Sequence, residues 1–234
     1  MEKTDKKESQ EAMDGPDRDD DKSFRPSALP YFLPFVVFCG LTTVSSFFPQ
    51  TLTWLYPLKT VTVAVLILVC WKYYEPLRPG HHLPAIAMGI FVCIVWVVPE
   101  GYAPAMSKES RIFDPLESLG PWQAPLWIGI RLIGASVVVA VMEEVFWRGF
   151  LIRWIINTDF RSVELGLFTW PSFIITSVLF GVEHHRWFVG ILAGILYNLL
   201  LYRTKSLYAC IVAHGVTNLC LGVYVITTKQ WGFW

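Results

Sequence analysis

The chain has 234 residues and a formal net charge of zero; 54% of its residues are hydrophobic and only 16% are charged. This balance does not fit a nucleic-acid-binding protein, which would carry a basic surface. Several apolar runs approach the roughly 20 residues that a helix needs to cross a bilayer. We therefore predict an all-α fold, a polytopic membrane bundle of about seven or eight transmembrane helices.

The first 25 residues differ sharply from the rest of the chain. They are polar, rich in Lys, Glu and Asp, and contain no apolar run. This composition predicts a disordered N-terminal tail rather than a cleaved signal peptide. Residues 26–234 are expected to form a single membrane domain.

Seven apolar segments follow in chain order. The fourth is longer than a bilayer requires and should tilt, kink or protrude. The fifth and sixth are short for a full crossing, at about 16 residues each, and predict a hairpin whose tip is sheltered by protein. Lys59, in the second segment, is expected to snorkel outward. The predicted segments are 29–48, 54–74, 83–98, 125–157, 171–185, 187–202 and 207–226.

Basic residues indicate an orientation. Cytoplasmic loops carry an excess of Lys and Arg, so we compared the two sides of a bundle with seven crossings. A cytoplasmic N-terminus places the larger group of basic residues inside and the smaller group outside, which predicts an external C-terminus. The inner group is Lys22, Arg25, Lys72, Arg78, Arg153, Arg161, Arg203 and Lys205, and the outer group is Lys108, Arg111, Arg186 and Lys229.

The five cysteines all fall within apolar segments, and none has the spacing of a metal site. We expect them to be unpaired packing residues. They are Cys39, Cys70, Cys93, Cys210 and Cys220.

Three short polar patterns lie in the fourth, fifth and seventh apolar segments. On a helix, Glu144 and Arg148 share one face and can pair, whereas Glu143 points about 100° away. One carboxylate is therefore neutralised while the other is left free for chemistry. The patterns are Glu143-Glu144-x-x-x-Arg148, Phe180-x-x-x-His184 and His214-x-x-x-Asn218.

Four of these residues, Glu143, His184, His214 and Asn218, are predicted to reach a similar depth on three separate helices. Lipid cannot satisfy their polar groups, so they should turn toward each other. A buried carboxylate can act as a general base toward water, and imidazole and amide groups can donate hydrogen bonds to an oxyanion. The set therefore suits hydrolysis.

Taken together and in this order, the three motifs resemble those of the CPBP intramembrane proteases, the family of the CAAX prenyl endopeptidase. The resemblance covers roughly residues 125–225, the motif-bearing core of an intramembrane protease domain at 26–234. Segments at 54–59 and 73–78 also resemble a bacterial branch of CAAX-protease-related proteins associated with exosortase and PEP-CTERM systems. This branch would place the chain in the bacterial inner membrane, where the distribution of Lys and Arg predicts a cytoplasmic N-terminus.

The resemblance implies a role for each motif residue. Glu143 would activate water with assistance from His184, and His214 and Asn218 would stabilise the oxyanion. Glu144 and Arg148 would form a structural pair, and Phe180 would pack beside the site. Glu183 and His185 flank the second motif and are expected to serve position or surface. The substrate would be a membrane-associated protein or peptide, possibly CAAX-like.

Members of this family have been described both as metalloproteases and as glutamate proteases. The chain has no His-Glu-x-x-His motif, and the firm candidate ligands would be only Glu143, His184 and His214. We favour a metal-free glutamate mechanism, with a zinc-dependent protease as the alternative.

The sequence leaves two non-catalytic hypotheses open. A non-catalytic scaffold or partner-binding homologue would keep the polar cluster only for packing. A proton-coupled transporter would use Glu143 and a histidine as a relay. Matched discontinuous helices would favour a transporter, and we find none in the sequence.

Overall fold

The structure, a computed structural model, describes residues 28–104 and 112–234. The predicted disordered tail lies outside these residues, as do Lys108 and Arg111. Within the described ranges every regular element is helical, which confirms the predicted all-α fold.

Eight helices succeed one another along the described chain. One of them, α5, runs continuously through two π-helical stretches, Gly134–Val139 and Val145–Leu151. The helices are α1 (Leu29–Phe47), α2 (Leu52–Cys70), α3 (His82–Val97), the single-turn α4 (Pro115–Ser118), α5 (Gln123–Ile156), α6 (Trp170–Val182), α7 (Trp187–Thr204) and α8 (Leu207–Thr228).

Five of these helices are long and apolar enough to cross a membrane, namely α1, α2, α5, α7 and α8. Helices α3 and α6 are apolar but shorter. Many large apolar side chains on the outside of the bundle are exposed, among them Leu68 at 71% and Leu83 at 81%. In water such a surface would be unfavourable, whereas lipid accommodates it. The chain is an integral membrane protein.

Small residues allow the central helices to pack closely. Helix α3 lies against α8, where a Cβ atom at Gly89 would overlap the carbonyl oxygen of Ala213. Helices α6 and α7 form the predicted hairpin, and a Cβ atom at Gly194 would lie 3.0 Å from the carbonyl oxygen of Ser177. Close approach through small residues is the usual packing mode of membrane helices.

The tip of the α6–α7 hairpin is held by protein. Arg186 makes a bidentate ion pair with Glu100, in the loop after α3, through two hydrogen bonds of 2.8 Å. Its guanidinium group also donates to the carbonyl oxygen of Gly232, near the end of the described chain. These hydrogen bonds from Arg186 hold the pKa of the Glu100 carboxyl group below its usual value. The ion pair contributes little to stability, because it is partly exposed to solvent.

One residue departs from its sequence-based expectation. Lys59 does not snorkel outward; it is only 4% exposed and its Nζ donates to Thr42 Oγ1 at 2.8 Å. Its ammonium group also lies over the rings of Phe38 and Tyr56. Two aromatic faces and a hydroxyl group replace the water that it would find at the membrane surface.

The five cysteines lie in α1, α2, α3 and α8 as free thiols.

Candidate active site

Glu143 lies in a short α-helical stretch of α5 between the two π-helical segments. Glu143 is 4% exposed, and its Oε2 is buried without a hydrogen-bond partner among the described residues. A buried carboxyl group usually has such a partner, and an exception calls for an explanation. An unsatisfied carboxyl oxygen beside a cavity is suited to binding water or substrate.

The neighbouring Glu144 is fully buried and is engaged through Oε1, whereas its Oε2 also has no hydrogen-bond partner among the described residues. Its Oε1 accepts hydrogen bonds from Arg148 Nη1 at 3.1 Å and from His214 Nδ1 at 2.8 Å. Arg148 also donates through Nε to Asn198 Oδ1 and through Nη2 to the carbonyl oxygen of Gly194. The carboxylate is therefore neutralised, and α5, α7 and α8 are joined through one buried polar network.

Two contacts fix the orientation of the His214 ring. Because a carboxylate only accepts hydrogen bonds, His214 Nδ1 carries the hydrogen in its contact with Glu144, which leaves Nε2 for other partners. The imidazole also stacks on Tyr197, with ring centroids 5.1 Å apart and an interplanar angle of 20°. Tyr197 is itself fixed by a 2.7 Å hydrogen bond from its hydroxyl group to Thr217. Ring orientation at His214 is thus set before any substrate binds.

His184 follows the end of α6 and is fixed in a similar way. Its Nδ1 lies 2.7 Å from the carbonyl oxygen of Phe180. A carbonyl oxygen only accepts, so Nδ1 carries the hydrogen and the neutral ring has its lone pair on Nε2. The ring packs edge-on against Trp96, with centroids 5.3 Å apart. This tautomer can accept a hydrogen bond from water through Nε2.

Asn218 lies one turn beyond His214 on α8. Its Nδ2 donates to the carbonyl oxygen of Ala135, at 2.9 Å, in the first π-helical segment of α5. A primary amide has two N–H hydrogens, so one remains available for another acceptor. The contact also ties α8 to α5 beside the candidate site.

Phe180 packs among the site residues. It is 1% exposed, and its ring lies 4.9 Å from that of His184 and 6.1 Å from that of His214, centroid to centroid. The guanidinium carbon of Arg148 lies 4.6 Å from the same ring. The aromatic ring thereby lies near both imidazoles and supports the buried cation.

A single cavity connects the candidate catalytic residues. It has a volume of about 280 Å³, and its wall includes all four of Glu143, His184, His214 and Asn218. The cavity lies toward the end of the bundle where α2 begins and α8 ends. Glu183 does not line it; instead Glu183 Oε1 accepts a 3.6 Å hydrogen bond from Cys39 Sγ on α1.

Across residues 28–104 and 112–234, no three His, Cys, Asp or Glu side chains are arranged as a metal site. The Nδ1 atoms of both imidazoles are engaged, which leaves Nε2 as the ring nitrogen available to another partner. A catalytic zinc needs three protein ligands around one point.

Several residues of this region do not belong to the three motifs. Asn198 and Lys59 could have been suspected, because each is a polar residue within an apolar segment. Nothing in the sequence distinguishes Tyr197 or Thr217 from ordinary packing residues. The cavity wall formed outside the motifs includes Lys59, Tyr56, Arg131, Tyr197, Thr217 and Trp234.

Comparison with known families gives a match that contains all three motifs. Residues 125–220 match the family described as Rce1-like, type II CAAX prenyl endopeptidase Rce1-like. This segment belongs to the Rce1-like family. The resemblance found in the motifs is thereby confirmed. No curated protein matches the chain, and no solved structure does.

A match to this family implies a peptidase of the CAAX type. Together with the apolar helices, it supports an intramembrane protease in this broad sense. The family also implies a membrane-associated protein as the substrate.

Proposed function

We propose that the chain is an intramembrane endopeptidase in which Glu143 activates a water molecule for hydrolysis of a peptide bond. The observation that supports this most is the shared cavity, whose wall contains Glu143, His184, His214 and Asn218 from three distant parts of the chain. The buried Glu143 Oε2 has no protein partner among the described residues. A carboxyl group kept in this state is suited to act as a general base.

In the proposed reaction, Glu143 accepts a proton from water while the water oxygen attacks the peptide carbonyl carbon. The carbonyl oxygen becomes an oxyanion in a tetrahedral intermediate. Collapse of the intermediate breaks the C–N bond, and the proton held by Glu143 passes to the departing nitrogen. The products are one new carboxyl group and one new amino group, so no further reactant is required.

The two histidines have different roles in this proposal. His184 accepts a hydrogen bond from the attacking water through Nε2, because its Nδ1 is held by Phe180. His214 acts as an imidazolium whose Nδ1–H is bound by Glu144, so that Nε2–H can donate to the oxyanion. The remaining amide hydrogen of Asn218 supplies a second donor. Preorganised donors of this kind typically contribute about 3–4 kcal/mol each to the transition state.

The mechanism that we propose is metal-free, because no three metal-ligating side chains cluster around one point among residues 28–104 and 112–234. No step depends on a metal ion, and the reacting proton is carried by Glu143. Activity should therefore persist after exhaustive treatment with a zinc chelator. Loss of activity that added zinc restores would contradict this part of the proposal.

The proposal is tested with purified full-length protein in lipid nanodiscs and a pool of internally quenched peptides randomised over apolar residues. We expect Glu143→Gln and His214→Ala each to lower kcat at least about 100-fold, the usual effect of losing a general base or an oxyanion donor. Glu164→Gln is the matched control, because Glu164 is exposed in the α5–α6 loop. Undiminished turnover by both site variants would rule out the proposed roles.

A further inference from the structure

A second cavity lies at the end of the bundle where α2 ends and α8 begins, opposite the candidate active site. It has a volume of about 480 Å³ and lies between the segment that joins α2 to α3 and the segment that joins α7 to α8. Among the described residues, none lines both this cavity and the candidate active site. The proposed hydrolysis therefore makes no use of this second cavity.

Two permanent cations belong to the wall of this cavity, Arg78 before α3 and Lys205 before α8. Within residues 28–104 and 112–234, neither has a carboxylate oxygen within 4.0 Å of its side-chain nitrogen atoms. The one carboxylate that the described residues contribute to the wall is that of Glu75. It is neutralised by an ion pair with Arg153. The wall therefore has an excess of positive charge.

The wall also contains donors that can bind the oxygen atoms of a ligand. Lys205 Nζ donates to the carbonyl oxygen of Gly166 at 2.6 Å, and an ammonium group has two further hydrogens. Ser206 Oγ accepts from the backbone nitrogen of Ala209 at 3.2 Å, so its hydroxyl hydrogen can be donated to another acceptor. Arg78 is exposed, and its planar guanidinium group suits the paired oxygens of a phosphate group.

Two helices begin at this cavity, and their ends favour the same kind of ligand. Helix α3 begins directly after His81 and α8 directly after Ser206, and both of these residues line the cavity. The first backbone N–H groups of a helix have no acceptor within that helix, and its N-terminal end favours negative charge. The helix ends thus add to the effect of the two cations.

The cavity lies at the level expected for lipid headgroups. Leu83, the second residue of α3, is 81% exposed, so the surface that faces hydrocarbon begins within one turn of the cavity. The rings of His82 and Tyr208 pack edge-on at the same level, with centroids 5.4 Å apart. Aromatic side chains often mark the boundary between lipid and water. Basic pockets between membrane helices at this boundary bind anionic headgroups.

We propose that this cavity binds the phosphate group of an anionic phospholipid through Arg78 and Lys205. The headgroup of phosphatidylglycerol has one negative charge and no cation. The headgroup of phosphatidylcholine has the same phosphate group but adds a choline cation, which the two basic side chains would repel. The acyl chains of the bound lipid stay in the bilayer beside Leu83. The lipid thereby joins the start of α3 to the start of α8.

The test is a calorimetric titration of the purified full-length protein in an uncharged detergent. The probes are dihexanoyl phosphatidylglycerol, dihexanoyl phosphatidylcholine and glycerol 1-phosphate. We expect phosphatidylglycerol to bind at least about 10-fold more tightly than either of the others, because only it combines a net negative charge with acyl chains. Equal affinities for the two lipids would overturn the proposal. Glycerol 1-phosphate binding as tightly as phosphatidylglycerol would assign the cavity to a soluble phosphate ester and overturn the lipid assignment.

Substitution of the two cations provides the second arm. Arg78→Gln should weaken phosphatidylglycerol binding at least about 5-fold, and addition of Lys205→Gln should remove the preference over phosphatidylcholine. Arg203→Gln is the matched control, because Arg203 is exposed at the same end of the bundle and is not part of the cavity wall. An unchanged preference in the double variant, or an equal loss in Arg203→Gln, would contradict the site. If the double variant is unstable without lipid, Arg78→Gln alone decides.

A bilayer arm repeats the comparison without detergent titration. The protein and its variants are placed in nanodiscs that contain equal amounts of the two lipids, and native mass spectrometry identifies the lipid that stays bound after release. We expect phosphatidylglycerol to predominate on the wild type and on Arg203→Gln but not on the double variant. Equal retention of both lipids by the wild type would overturn the proposal. No peptide is cleaved in either arm, so the outcome is independent of the proposed peptidase activity.

Discussion

Arg148 is the side chain on which the buried polar network depends. It is 1% exposed and bonds to Glu144, Asn198 and the carbonyl oxygen of Gly194, so its three nitrogen atoms are all used. A buried ion pair usually makes a protein little more stable than it would be with apolar residues in place of both partners. Removal of only one partner is different, because the other charge is left buried and uncompensated.

We therefore expect Arg148→Ala to lower the free energy of unfolding by about 3–5 kcal/mol, the range found when one partner of a buried pair is removed. The reason is that Glu144 loses its cation while remaining fully buried. Thermal unfolding in detergent, together with the folded yield, measures the effect. Arg203→Ala is the control, because Arg203 is exposed at the end of α7, and its effect should stay within about 0.5 kcal/mol. Normal stability of Arg148→Ala would show that the network contributes little to the free energy of unfolding.

Residue spacing could predict only the contacts that form within one helix. The Glu144–Arg148 pair follows from a separation of four residues, and the structure contains that pair at 3.1 Å. The contacts of Arg148 with Asn198 and of His214 with Tyr197 join residues on different helices. Their geometry depends on how the helices cross, which no local pattern specifies.

At the scale of elements, the two π-helical segments of α5 distinguish this helix from the others. They flank the stretch that carries Glu143 and Glu144. Segments of this kind are rare and occur frequently at functional sites. The sequence suggested that the long fourth segment would tilt, kink or protrude, but it did not indicate π-helical turns.

The close crossing of α8 over the first π-helical segment is a second property of this element. A Cβ atom at Gly215 would lie 2.7 Å from the carbonyl oxygen of Ser136. That oxygen belongs to the backbone and cannot move aside as a flexible side chain would. Glycine is therefore required at this position if His214 and Asn218, on either side of it along α8, are to keep their distance from α5.

We expect Gly215→Ala to lower the free energy of unfolding by about 1–3 kcal/mol, as overpacking does, and to lower kcat as His214 moves. The matched control is Gly129→Ala on α5, where a Cβ atom would meet no heavy atom within 4 Å. Helix propensity alone should make that control neutral or up to about 1 kcal/mol more stable. Thermal unfolding and peptide turnover are measured for both variants. Equal behaviour of the two would contradict a crowded crossing at Gly215.

At the scale of the whole molecule, hydropathy was sufficient to predict the bundle. Each of the seven predicted apolar segments corresponds to a helix, because the length and apolarity that a bilayer demands are properties of local sequence. The cavity could not be derived in this way. Its wall combines residues of α1, α2, α3, α5, α6, α7 and α8, and its shape depends on their mutual packing.

The orientation of the bundle determines which side of the membrane the cavity faces. The cavity lies near the end at which Arg186 binds Glu100 and the carbonyl oxygen of Gly232. The distribution of Lys and Arg predicts that this end is external, with the N-terminus in the cytoplasm. In a bacterial inner membrane, the substrate would then reach the site from the periplasmic side.

Reporter fusions after Trp234 test this orientation. An alkaline phosphatase fused there should be active, because the enzyme folds only outside the cytoplasm, and a green fluorescent protein fused at the same point should be dark. The matched fusions within residues 71–81, in the predicted cytoplasmic loop between α2 and α3, should give the opposite pair of signals. A fluorescent C-terminal fusion with an inactive phosphatase would reverse the orientation. The cavity would then open toward the cytoplasm, while the contacts that form the site would stay the same.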